Sequence, residues 1–134
     1  MTIPGPFFFE DRAHSQDSMR EDQVIGIETA LGIRLPSEYR NFVFSPQLQE
    51  RPEAFSDPLE AIVVNQTCRA MCWLGRPLEN AFYVFGRSEA GWELMLDIDV
   101  PGIPVMVADY ERQAGKVVAR SFTDWLAGKF LPAY

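Results

Sequence analysis

Val24, Ile27 and Leu31 recur at helical spacing behind Ser18-Met19-Arg20-Glu21, where Ser and Glu stand three apart as in a capping box. Gly32 then supplies a left-handed stop. Ile33 and Leu35 form a short extended link. Pro36 stands ready for the first position of a second helix, where its missing N–H costs nothing. Tyr39, Phe42 and Val43 share one face of that helix, and Ser45-Pro46 ends it. The two short helices read as a packed pair. Residues 45–57 carry Pro46 and Pro52 and no period, and so predict a loop.

From Leu59 to Met71 the pattern serves two readings. Leu59, Ile62, Val63 and Gln66 fit a helix, while Ile62-Val63-Val64 could open a strand. Asp57-Pro58 is a good helix start, which favours the helix. Beyond it the spacing predicts an antiparallel meander. Ala81–Phe85 is a dense apolar run, and Gly86 to Gly91 a turn whose glycines suit positive φ. Trp92, Leu94, Leu96 and Ile98 alternate with Glu93, Met95, Asp97 and Asp99, the period of a half-buried strand. Pro101-Gly102 marks a turn, Pro104–Asp109 a third strand, Tyr110–Gly115 another turn, and Lys116–Arg120 a fourth strand. Ser121-Phe122-Thr123-Asp124 caps a last helix whose buried stripe is Phe122, Trp125, Leu126 and Phe130. The predicted fold class is α+β: one domain over 1–134, with a core at about 18–131. In it a meander of about four or more strands packs against an N-terminal helix pair and a C-terminal helix.

Composition supports a real core. The 134 residues are 47% hydrophobic and include ten Phe, four Tyr and three Trp, and a domain of this size needs no metal or disulfide to fold. A formal charge of −7 opposes binding to nucleic acid and to anionic membranes. The opening residues lack the basic region and apolar run of a secretory signal, and no stretch approaches a membrane span. Two cysteines, Cys68 and Cys72, four apart, then read as reduced thiols of a cytoplasmic protein. The Asn65-Gln66-Thr67 sequon reads as accidental.

Three phrases together resemble a known family. They are Glu28-x-x-Leu31-Gly32-x-x-Leu35-Pro36-x-x-Tyr39-x-x-Phe42; Phe85-Gly86 ahead of Gly91, Leu96-Asp97 and Pro104-Val105; and Ser121-Phe122-x-x-Trp125-Leu126. Their order and spacing, from about Glu21 to Leu126, resemble the SUKH superfamily. That group joins fungal cell-wall-synthesis regulators with bacterial immunity proteins of toxin systems. Where that family often carries a glycine pair after the second helix, this chain has Ser45-Pro46-Gln47. The resemblance implies a protein-binding module, in bacteria an immunity protein that neutralises a toxin, frequently a nuclease, by binding it. It also makes Asp97 a structural residue.

Candidate chemistry is sparse. Asp97-Ile98-Asp99 has the spacing of a metal-binding pair, but no further ligands accompany it, and a solvated strand end is the simpler reading. Gly86 to Gly91 is one residue too long for a nucleophile elbow, and a strand follows it rather than a helix. A serine or cysteine nucleophile would need the sole histidine, His14, which lies in a polar stretch. Cys68, Cys72 and His14 lack the paired spacing of zinc ligands. The expectation is no catalytic residue, no metal and no cofactor.

One surface inference remains. The turns at 86–91 and 110–115 should lie at one end of the meander, gathering Glu89, Glu93, Asp109 and Glu111 with Arg87 and Arg112 between them. These acids could form a docking edge for a protein with a basic surface, such as a toxin domain. They could equally be an ordinary charged rim. The expected function is therefore a non-enzymatic binding module of immunity type. A regulatory scaffold and a small hydrolase or metal-dependent enzyme stand as the alternatives.

Overall fold

The computed structural model describes residues 18–70, 78–79 and 81–132. Four helices, α1 (Glu21–Leu31), α2 (Ser37–Val43), α3 (Pro58–Ala70) and α4 (Phe122–Leu126), accompany four strands: β1 (Phe82–Arg87), β2 (Glu93–Asp97), β3 (Val105–Asp109) and β4 (Ala114–Ala119). The strands form one antiparallel sheet in the order β1-β2-β3-β4. This is the α+β arrangement the periodicities predict. The ambiguous segment is a helix over its described residues, to Ala70. Among the described residues no helix is long and apolar enough to cross a membrane.

The first two helices are joined by a carboxylate. Gly32 ends α1 with φ +68, as its lack of a Cβ permits. Glu28 then reaches past it, accepting from Leu35 N at 2.7 Å and from Arg40 Nη1 at 3.2 Å. The phrase from Glu28 to Arg40 is thus one hydrogen-bonded corner. Two starts shift slightly. The cap of α1 is Arg20, whose N–H donates to Gln23 Oε1 at 2.8 Å, not Ser18. Pro36 precedes α2 with extended ψ instead of opening it.

The core is aromatic where α2, α4 and the sheet meet. Tyr39, Phe42, Tyr83, Phe85, Phe122 and Trp125 are all buried. Their rings meet mostly edge to face, Phe85 on Trp125 at 5.0 Å between centroids and Tyr39 on Tyr83 at 5.3 Å, the arrangement that ring quadrupoles favour. Ser121 caps α4 by accepting from Asp124 N at 3.0 Å. The helix ends at Leu126, so Phe130 falls outside the predicted buried stripe and is 43% exposed.

Strand alternation fails instructively in β2. Met95, expected on a solvated face, is fully buried beside Val84, while Leu94 and Leu96 are buried on the opposite face. The sheet is covered on both faces at its β1–β2 half. Exposure on the Met95 face returns only at Val117 in β4.

The 45–57 loop is more ordered than its composition suggests. Pro46–Glu50 is a 3-10 helix capped by Ser45, and Ala54 bridges antiparallel to Gly86. This changes the reason for Gly86. It lies inside β1, not in a turn, and its φ is not positive. A Cβ there would stand 2.0 Å from the Glu53 carbonyl oxygen, so glycine is needed for close approach. Gly91, with φ +86, is the glycine the turn requires. The second turn is also shorter than expected. It closes at Gln113, itself at φ 56, and Gly115 pairs with Ala108 within β4.

The buried hydroxyls of Tyr39 and Tyr83 lie 3.3 Å apart. Burial pushes Tyr83 up to about 12, against the opposing effects of its bond to Tyr39 and the Arg69 charge. Burial, then the neighbouring Tyr83, holds Tyr39 well above the ordinary phenol range. Folding therefore favours both neutral phenols. That stabilisation is complete below the unfolded value of about 10 and is lost as pH rises towards 12. Absorbance at 295 nm should accordingly show part of the tyrosine signal un-ionised at pH 11 while circular dichroism remains native. Complete ionisation near pH 10 with the fold intact would contradict the buried pair.

Candidate functional site

Both sheet turns lie at one end, as the meander requires. Tyr110, just past β3, donates its hydroxyl to Glu93 Oε1 at 2.5 Å, and its ring meets Trp92 at 6.3 Å. These contacts join the β1–β2 turn to the β3–β4 turn.

The four candidate acids have different environments. Asp109 is buried, and its Oδ1 accepts from the backbone N–H groups of Glu111 and Arg112 at 3.1 and 3.2 Å. Its Oδ2 stands 3.9 Å from Arg112 Nε. This carboxylate closes the turn, the ordinary task of an aspartate at such a position. Glu93 is half-buried and held by Tyr110. Glu89 and Glu111 are exposed at the two turn tips. Arg87 does not dilute the acids as expected. It faces the other way, 3.7 Å from Glu60 Oε2 and 5.4 Å over the Phe55 ring.

Beside the turns lies an open cleft of about 520 Å³. Glu89 and Asp109 line it, whereas Glu93 and Glu111 do not. Its apolar wall is Trp92, Val107 and Phe130, and Glu53 and Lys116 add one charge of each sign. Glu53 reaches the cleft because the Ala54–Gly86 bridge pins the loop beside β1; Arg87 N donates to the Glu53 carbonyl at 2.9 Å. No periodicity signals Glu53, since its position depends on a single bridge between distant residues. The spacing of α4 predicts Phe130 in a buried helix stripe, and its arrival in the cleft follows from the early stop of α4.

Asp97 is half-buried at the end of β2 and Asp99 exposed in the turn beyond it. Cys68 is buried on α3, while His14 and Cys72 lie outside the described residues. Among the described residues no three His, Cys, Asp or Glu side chains gather closely enough to hold a metal ion. Asn65 of the sequon is fully buried with its amide engaged on both sides, so the folded chain offers no acceptor there.

No protein-family model matches the chain, and no curated protein matches its sequence at a significant level.

Proposed function

We propose that this protein is a non-enzymatic binding module of immunity type, holding a protein partner with a basic surface at the turn end of its sheet. The order of its sequence phrases resembles the SUKH superfamily, whose bacterial members include toxin-neutralising immunity proteins. The observation that carries the reading is the cleft beside the turns. It combines aromatic and aliphatic side chains with acidic groups, the composition of a protein-docking surface. A chain charge of −7 reinforces the preference for a basic partner.

Glu89 and Glu111 are the acids to reverse, because Asp109 closes its turn and Glu93 serves Tyr110. The partner would be captured from the native host, and its association rate measured across a salt series. The double reversal Glu89→Lys, Glu111→Lys should slow association about tenfold or more at low salt. The difference should shrink as the Debye length falls to about 8 Å near 0.15 M. An association rate indifferent to both salt and the reversal would refute the acidic edge. Turnover of a small molecule, with no protein partner recovered, would refute the binding module.

A further inference from the structure

The cleft holds two carboxylates that the fold leaves unused. Asp109 is spent on its turn and Glu93 on Tyr110, but neither Glu53 nor Glu89 has a side-chain hydrogen bond or ion pair with any described residue. Trp92 lines the same cleft, and Val107 and Phe130 complete its apolar wall. Lys116 stands in the same lining but is not a free cation, having an interaction of its own.

We propose that this cleft receives one arginine side chain from the protein partner, an inference that rests on the binding-module reading above. Three features select that occupant. The guanidinium is planar and weakly hydrated, so it leaves water for an aromatic wall more readily than an ammonium does. Indole is the best of the aromatic faces for a cation. Two carboxylates offer acceptors to its fixed fork of donors, which a lysine satisfies only as a point charge. The volume, about 520 Å³, also admits the backbone flanking the arginine, being within the usual range of ligand sites. Glu53 therefore acts together with Glu89 as a specificity group. The exposed Glu111, outside the cleft, contributes only to encounter.

The test uses the full chain, labelled with nitrogen-15, and N-acetyl-arginine methylamide as probe. Saturable shifts are expected at the Trp92 indole N–H and at the backbone amides of 88–92 and 107–109. The citrulline analogue, isosteric but neutral, should produce none, and the lysine analogue should bind several-fold more weakly. The pair Glu53→Gln, Glu89→Gln should weaken the arginine probe at least fivefold while the spectrum stays dispersed, showing an intact fold. Equal binding of citrulline, shifts scattered without saturation, or indifference to the glutamine pair would overturn the proposal. The captured partner separates the two readings. Wild-type affinity for the glutamine pair, with association still slowed by Glu89→Lys and Glu111→Lys, would remove the arginine site and leave the binding module. Arginine binding in a protein that turns over a small molecule and yields no partner would retain the site and remove the module.

Discussion

Replacing Trp125 with alanine should cost about 3–5 kcal/mol, a large part of the roughly 5–15 kcal/mol that holds a typical domain folded. Only 1% of this residue is exposed. Its ring meets Phe85 at 5.0 Å and Phe42 at 6.4 Å, both near perpendicular, and stacks on Phe122 at 5.7 Å. Arg51 closes the site from outside, its guanidinium 5.2 Å from the indole centroid and bonded to the Leu126 carbonyl. Truncation would thus leave a void between α2, α4 and β1 and would loosen the cation that covers it. Such a void cannot collapse readily, because three packed rings would have to move together. The melting temperature should fall by roughly 10–20 °C. A fall of only a degree or two would mean that α4 contributes little to holding the sheet.

Elements whose signals are local were legible in the sequence. Gly32, Ser121 and the apolar spacing of α1, α2 and α4 act within a few residues; the structure keeps α1 and α2 within a residue or two of their predicted ends and starts α4 where Ser121 caps it, although α4 stops at Leu126, short of the predicted Phe130. Errors arose where a distant element decides. Met95 reads as solvated by alternation within β2, yet its burial depends on what covers the second face. Gly86 reads as a turn glycine, but its smallness answers the carbonyl of Glu53, more than thirty positions earlier. Gly115 attracted the second turn, although Gln113 adopts the left-handed conformation instead.

The candidate site divides along the same line. Meander topology alone places the two turns together, so the shared end was readable. Which acid stays available was not. Asp109 and Glu111 are two residues apart and look equivalent in a charged turn, yet one accepts backbone hydrogen bonds and the other stands in solvent. Only the chain path fixes that difference, and only the path brings Glu53 and Phe130 to the cleft.

Asn65→Leu should be among the most costly single changes that preserve side-chain branching. The residue projects from α3 to the outer edge of β1, where an unpaired strand would expose a row of backbone groups. Its Oδ1 accepts from Val84 N at 2.8 Å, and its Nδ2 donates to the carbonyls of Val84 and Ala61, each at 2.8 Å. One amide therefore pairs with Val84 much as a neighbouring strand would. Arg69 continues the edge by donating to the Phe82 carbonyl at 2.8 Å, and the 53–55 loop completes it, Phe55 N donating to the Phe85 carbonyl at 2.8 Å. Leucine has similar branching but satisfies neither Val84 group, and each buried orphan costs about 1–3 kcal/mol. The Ala61 carbonyl loses less, since helical bonding within α3 already serves it. The sum is roughly 2–6 kcal/mol, measurable by denaturant unfolding with an unchanged slope. Asn65→Asp separates hydrogen bonding from shape. It keeps an acceptor for Val84 N but removes the donor and buries a charge, so it should be no better tolerated than leucine. Native stability in the leucine variant would show that water or a neighbouring group can satisfy the β1 edge, and that α3 is not the element sealing it.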